Sequence, residues 1–166
     1  MNIFLLSTNP TTCAQMHCDK HVVKMVLETA QILSTVHHQQ HPTSDVKRYK
    51  PTHANHPCTR WAASSPQSLW WLGELGVSLC AEYRHRFKKI HACEPIILGL
   101  HGSVLADGEE PNWLTAAQAM PDKYQVPSDP VAAYRAYYVG EKARMFKYTK
   151  REVPAFIKEL TEDGPT

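Results

Sequence analysis

The segment from His17 to Thr35 combines an apolar helical pattern with a line of polar residues. When the segment is wound at about 100° per residue, five polar side chains project to within about 40° of His17. They are His17, His21, Lys24, Glu28 and Gln31. Apolar residues fill most of the remaining circumference, so the pattern predicts a helix with almost no solvent face. Ionisable groups on such a helix are costly unless they meet partners or line a cavity, which makes this polar stripe the first candidate for chemistry.

The residues around this helix predict how it begins and ends. Residues 2–6 form a short apolar run, which could be a strand or an anchoring segment. Thr11 or Thr12 could cap the helix, which would then run to about Thr35. Residues 37–56 are polar, rich in Pro and His, and are predicted to form a long loop.

Proline and capping residues mark the other predicted helices. A Ser-Pro pair begins a long helix over 66–89, and an Asp-Pro pair begins another over 130–143. A short helix follows Glu152-Val153-Pro154 and ends before Gly164. Residues 94–128 are broken by Gly and Pro and are predicted to be mostly connection, with one short helical piece near 115–119.

These elements predict an all-α fold of three to four main helices with long loops, packed around a central buried helix. With 166 residues, the chain has the size of one compact domain, and we expect residues 1–166 to form a single helical domain. Five cysteines without a CxxC pair argue against a disulfide scaffold or a zinc ribbon. Since no apolar run reaches about 18 residues, we expect a soluble cytoplasmic protein without a membrane partner.

The polar stripe offers acid and base groups close to neutral pH. Two imidazoles, an ammonium and a carboxylate on one helix face are typical of a site that moves protons. The same groups could instead form a structural network inside the core. The sequence leaves both interpretations open.

A second candidate is the loop Pro51–Pro57, which contains His53 and His56 and is followed by Arg60-Trp61. Its prolines restrict the backbone, so the two imidazoles could be held ready for catalysis without a cofactor. Alternatively, the loop could complete a zinc or iron site with residues of the stripe. That ligand set would be His17, His21, Glu28, His53 and His56.

A third candidate is the basic and aromatic segment from Tyr134 to Arg151, which holds six Lys or Arg, five aromatic residues and one acid. Basic charge interleaved with aromatic rings suits phosphates together with unstacked bases, although the tyrosines could also simply pack in the core. The formal net charge of +2 gives no overall field that decides the matter. The predicted phosphate contacts are Arg60, Arg135, Lys142, Lys147 and Lys150, and the predicted base-stacking residues are Tyr134, Tyr138, Phe146 and Tyr148.

Two blocks of sequence resemble a family of small phage-encoded proteins. They are MHCDKHVVKMVLETAQILST and PTHANHP followed by an RW pair. The resemblance implies a phage setting, and with it the cytoplasm of a host cell.

A weaker resemblance is to the pyrimidine-dimer DNA glycosylase and AP lyase family of the endonuclease V type. It is carried by Asp19, His21 and Glu28 in the first helix, by the helix over 66–89, and by the segment from Met145 to Lys150. The resemblance implies a compact helical enzyme that extrudes a base and reacts through its N-terminal amine, with Glu28 as the catalytic carboxylate.

The chain differs from that family at three positions. Leu27 and Gln31 stand where the family has arginines beside its carboxylate. Asn2 stands where the family has a small residue that becomes the N-terminus. Since Asn2 is bulky, we expect Met1 to be retained.

These observations favour an enzyme that acts on a nucleobase in DNA, either by excising it or in a base-modification pathway. Glu28 would act at the sugar C1′, His21 and His17 would donate or relay protons, and the nucleophile would be Lys24 or the Met1 amine. One alternative is a metal-dependent enzyme on a nucleotide or small molecule, using the His and Glu ligands named above. Another is a non-catalytic protein that binds nucleic acid or a host factor and uses the polar stripe only as a structural network.

Overall fold

Seven α-helices occur in the computed structural model, which describes residues 1–104 and 109–162. They are α1 Pro10–Met16, α2 Asp19–Gln40, α3 Pro57–Ala63, α4 Pro66–Phe87, α5 Glu94–His101, α6 Pro130–Lys142 and α7 Ala155–Glu162. Single turns of 3-10 helix lie at Trp113–Thr115, Asp122–Tyr124 and Ala143–Met145. No strand occurs in these two described ranges, so the predicted all-α class is confirmed. The predicted number of three to four main helices is too low.

The first six residues are neither helix nor strand. They are a buried anchoring segment in which Ile3, Leu5 and Leu6 are almost completely shielded from solvent. Asn9 then caps α1, because its side-chain oxygen accepts the Thr12 N–H at 2.9 Å and a proline follows at the first helical position. The predicted cap at Thr11 or Thr12 is therefore wrong by two or three residues.

The long first helix of the prediction is broken at His17 and Cys18. Both residues have extended backbone angles, with ψ of 136° and 162°, and α2 begins only at Asp19. Two distant groups accept the N–H groups that the break exposes: Tyr138 Oη lies 2.9 Å from the Cys18 nitrogen, and the Lys147 carbonyl oxygen lies 2.8 Å from the Asp19 nitrogen. As a consequence, His17 does not lie on the helical face that carries Glu28.

Helix α2 lies at the centre of the packing, because it contacts α3, α4 and α5. Helix α4 also packs against α1, and α6 packs against α7.

The prediction that α2 has almost no solvent face is wrong. The side chains of Lys20, Val23, Lys24 and Leu27 are exposed, and they follow one another at helical spacing along one side.

Helices α4 and α6 begin at the predicted residues. Ser65 caps α4 by accepting the Ser68 N–H at 3.0 Å, and Asp129 caps α6 by accepting the Ala132 N–H at 2.9 Å. Helix α7 ends at Glu162, while Gly164, the predicted limit, lies outside the described residues. Helix α5 lies in the stretch that was predicted to be mostly connection, and no helix was predicted over α3, because seven or eight residues are too few to show a clear period.

Candidate active site

The N-terminus of the chain lies against the carboxylate of Glu28. This carboxylate is 7% exposed, and its Oε2 accepts the Asn2 N–H at 2.8 Å. Its Oε1 lies 3.9 Å from the Met1 amine nitrogen and 3.3 Å from Lys24 Nζ, one turn earlier on α2. One shielded carboxylate therefore faces two amines.

Asn2 fixes the path of the chain beside this carboxylate. Its Nδ2 donates to the Ala119 carbonyl oxygen at 2.8 Å, and its Oδ1 accepts the N–H groups of Ile3 and Phe4. On the other side, Thr59 Oγ1 donates to the Met1 sulfur at 3.7 Å. These contacts place the amine between α2, α3 and the segment that precedes α6.

Phe4 anchors the same segment through an aromatic cluster. Its ring centroid lies 4.5 Å from that of His21, 5.4 Å from that of Tyr138, and 5.9 Å from that of Tyr137, to which it is nearly parallel. Phe4 has a φ of 42°, a left-handed value that costs a residue with a side chain of this size about 1–3 kcal/mol. The packing of the ring offsets that cost and holds the N-terminal segment in place.

His17 and His21 lie behind this cluster and are neutral at pH 7. Burial lowers the pKa of His17 to about 4 and, together with the charges of His17, Lys142 and Lys24, lowers that of His21 to about 3. His17 is fully buried and donates from Nδ1 to the Cys13 carbonyl oxygen at 2.7 Å. His17 Nε2 and His21 Nδ1 have no partner within the described part of the chain. Both imidazoles thus support the aromatic cluster from inside, and in this conformation His17 cannot touch DNA.

The loop Pro51–Pro57, which contains His53 and His56, contacts α2. Thr35 Oγ1 accepts the Thr52 N–H and donates to the Thr52 carbonyl oxygen, both at 3.0 Å. Burial lowers the pKa of His56, the positive Met1 amine and His53 lower it further, and Glu28 opposes them. His56 is therefore close to the amine and the carboxylate, while its Nδ1 accepts the Cys58 N–H and caps α3. His53 is exposed and belongs to the same turn.

The predicted metal ligands are divided between two places. His17 and His21 pack around Phe4, whereas His56 lies near the Met1 amine. Within residues 1–104 and 109–162, no group of three or more His, Cys, Asp or Glu side chains is arranged to hold a metal ion. The fold thus gives the described candidates no common coordination centre.

Two of the predicted base-stacking residues are core residues. Tyr134 and Tyr138 are completely buried, and burial raises the pKa of both well above the usual value. Tyr134 Oη donates to the Ala117 carbonyl oxygen at 2.7 Å, and Tyr138 accepts the Cys18 N–H. The prediction that they stack on bases is therefore wrong for this structure.

The remaining residues of the basic and aromatic segment are only partly available. Phe146 stacks on Tyr138, and Tyr148 donates from Oη to the Met16 carbonyl oxygen. Arg135 donates to the Leu6 carbonyl oxygen at 2.9 Å, and Lys142 lies over the ring of Tyr137. Of the predicted phosphate contacts, the exposed ones are Arg60, Lys147 and Lys150.

A buried ion cluster stabilises the break between α1 and α2, and the sequence did not reveal it. Arg86 is completely buried and donates to Asp19 Oδ1 at 3.1 Å and to Glu82 Oε2 at 3.0 Å. Although burial raises the pKa of Asp19, hydrogen bonds from Thr149 and Arg86 lower it overall. Arg151 also pairs with Glu82. Arg86 is thus a structural residue of α4.

The comparisons with known proteins support a DNA-directed function. Across the described residues, no helix is long and apolar enough to cross a membrane. No curated protein and no solved structure matches the chain. A family model described as pyrimidine dimer DNA glycosylase matches residues 1–95, which are more than half of the 166 and include Met1, Lys24 and Glu28. The chain therefore belongs to the pyrimidine dimer DNA glycosylase family.

Proposed function

We propose that this protein excises a pyrimidine base from DNA and that its nucleophile is the α-amine of Met1. The observation that carries the proposal is the contact between this amine and Glu28, inside the segment that matches the family. A nucleophilic amine needs a nearby group that takes up its proton, and Glu28 Oε1 at 3.9 Å is placed for that role. A base inside a duplex is out of reach, so the target nucleotide must be extruded before it reacts.

The reaction then proceeds by exchange of bonds at the sugar. The amine nitrogen attacks C1′, the bond from C1′ to the base breaks, and the base leaves with the bonding electrons and takes up a proton from water. The amine loses a proton to Glu28. Glu28 gives this proton to O4′ as the C1′–O4′ bond breaks, and the nitrogen lone pair forms the Schiff base that joins Met1 to C1′. The carboxylate also stabilises the positive charge that develops at C1′ and nitrogen in a site largely shielded from water.

Met1 is a better candidate than Lys24 because its position is fixed. The hydrogen bonds of Asn2 and the packing of Phe4 hold the N-terminal segment, whereas the side chain of Lys24 is 64% exposed. A preorganised nucleophile loses less entropy when it reaches the reactive geometry. We assign Lys24 to an ion pair that holds the Glu28 side chain beside the amine.

Borohydride trapping tests the assignment directly. Pure protein is incubated with duplexes that carry one abasic site or one pyrimidine dimer, and the reduced adduct is digested and mapped by mass spectrometry. We expect the adduct on the Met1 nitrogen in wild type and in Lys24→Gln, and strong loss of the adduct in Glu28→Gln. An adduct on Lys24 Nζ would overturn the choice of nucleophile, and no adduct with either duplex would overturn the covalent mechanism.

A further inference from the structure

A groove of about 400 Å³ lies between α3 and the segment that follows Asn112. Its lining residues are Pro57, Arg60, Trp61, Ser64, Thr115 and Ala117. No carboxylate is among them. The polar groups of these residues are a guanidinium, an indole N–H and two hydroxyls, and the guanidinium suits an anion.

Two of these donors have no acceptor in the described part of the chain. Arg60 is exposed, and its guanidinium forms no hydrogen bond or ion pair with the part of the chain that the structure describes. Trp61 is 3% exposed, and its Nε1 has no acceptor there. The hydroxyl protons are already used, since Ser64 donates to the Trp61 carbonyl oxygen and Thr115 to that of Asn112. Because the Trp61 N–H is itself closed to solvent, Arg60 is the donor of this set that a ligand in the groove can reach.

The groove is rigid. The ring of Trp61 packs against those of Trp71 and Trp113, with centroids 6.0 and 6.3 Å apart. On the facing wall, Tyr134 Oη holds the Ala117 carbonyl oxygen. These contacts hold both walls of the groove in place, so a ligand orders little of the chain when it binds.

The groove also adjoins the Met1 amine. Thr59, one residue before Arg60 on α3, contacts the Met1 sulfur. On the facing wall, Asn2 Nδ2 donates to Ala119, two residues after Ala117. Both walls are thus attached to the first two residues of the chain.

We infer that this groove binds one backbone phosphate of the DNA strand that carries the reacting nucleotide. Arg60 donates to the phosphate oxygens, and the ring of Trp61 lines the groove beside them. The inference rests on the proposed function, which supplies DNA as the ligand. It makes Arg60 a binding residue that sets the position of the strand relative to the amine.

The first test is the salt dependence of DNA binding by Arg60→Gln, measured with the whole chain and no borohydride. We expect about 10-fold weaker binding, and a plot of log K against log salt that is less steep by about 0.9, the value for one phosphate contact. The matched control is Lys158→Gln, which removes one exposed positive charge from α7. It should change both quantities less than Arg60→Gln does. Equal effects of the two variants would overturn the inference.

The second test locates the phosphate. Single neutral methylphosphonates are placed in turn along the strand around the reacting nucleotide. At one position the substitution should weaken binding by wild type but add nothing to the loss in Arg60→Gln. If every position affects wild type and Arg60→Gln equally, the groove holds no phosphate.

These outcomes separate the groove from the chemistry. If trapping fails while Arg60→Gln shows the reduced slope, the phosphate site stands and the covalent mechanism falls. If trapping succeeds while Arg60→Gln binds DNA like wild type, the mechanism stands and the groove assignment falls.

Discussion

At the scale of single residues, the site depends on the negative charge of Glu28. A glutamine at this position keeps an oxygen to accept the Asn2 N–H but removes the charge that faces Met1 and Lys24. We expect Glu28→Gln to lower base excision by about 10²–10⁴-fold, as is typical for the loss of an acid or base group, with a melting temperature near that of wild type. Single-turnover cleavage and thermal unfolding measure the two effects. Normal turnover in this variant would remove Glu28 from the mechanism.

Two of the buried histidines, His17 and His21, make the stability of the protein sensitive to acid. Their pKa values are about 4 and 3 in the folded protein, against an ordinary value of 6.5, so the unfolded chain binds more protons below pH 6.5. The contribution of His17 and His21 to the free energy of unfolding is therefore fully present above pH 6.5. It decreases as the pH drops towards 4. The expected loss is about 1.4 kcal/mol per pH unit for each histidine.

A phenylalanine in place of His21 separates this effect from other titrations. Phe keeps an aromatic ring next to Phe4 but cannot bind a proton. Denaturant unfolding between pH 7 and pH 4 should show a slope in His21→Phe that is lower than that of wild type by about 1.4 kcal/mol per pH unit. Parallel curves for the variant and wild type would contradict the assignment.

Sequence reasoning found part of this site for a physical reason. Lys24 and Glu28 are four residues apart on one helix, so periodicity alone placed them together. Met1 could not be placed beside Glu28 in this way, because the N-terminal segment has no regular structure and its path depends on the packing of Phe4. The burial of His17 could not be predicted from the sequence either, because the helix break depends on a tyrosine 120 positions away.

At the scale of helices, the buried Arg86 fixes the junction of α1 and α2. It also donates to the carbonyl oxygens of His17 and Gln15 at 2.7 and 3.0 Å. We expect Arg86→Met to destabilise the protein by about 3–5 kcal/mol, because it leaves Asp19 and Glu82 short of a partner in a buried place. Chemical unfolding measures the change.

The control for this variant is an exposed ion pair. Lys123 and Glu141 pair across 3.2 Å with side chains that are 65% and 38% exposed. Lys123→Met should leave the unfolding midpoint unchanged, since water screens such pairs. A similar loss in both variants would show that the burial of Arg86 is not what matters.

A helix could be predicted from the sequence where its stabilising contacts are local, but not where they come from distant residues. Ser65 and Asp129 cap α4 and α6 locally, so the sequence near each cap was sufficient. The break before α2 needs acceptors from Tyr138 and Lys147, which no local pattern encodes. The first turn of α3 is capped by a histidine, which is not among the preferred capping residues.

At the scale of the whole molecule, the segment that matches the family is not structurally independent. Residues 1–95 contain the amine and Glu28, but Asp19 is bonded by Thr149 and Phe4 packs against residues of α6. We expect a chain of residues 1–95 to lack a cooperative thermal transition, because these buried groups lose their partners. Circular dichroism on heating compares it with the full chain. A sharp transition near the wild-type temperature would contradict this dependence.

The packing of Phe4 against α6 has a consequence for folding during synthesis. During synthesis from the N-terminus, Phe4 leaves the ribosome more than 130 residues before Tyr137 and Tyr138, the rings against which it packs. Its left-handed backbone is not compensated until α6 has been translated and has docked. The Met1 amine is thus translated early but is among the last groups to reach its place, so an unfinished polypeptide has not yet positioned it beside Glu28.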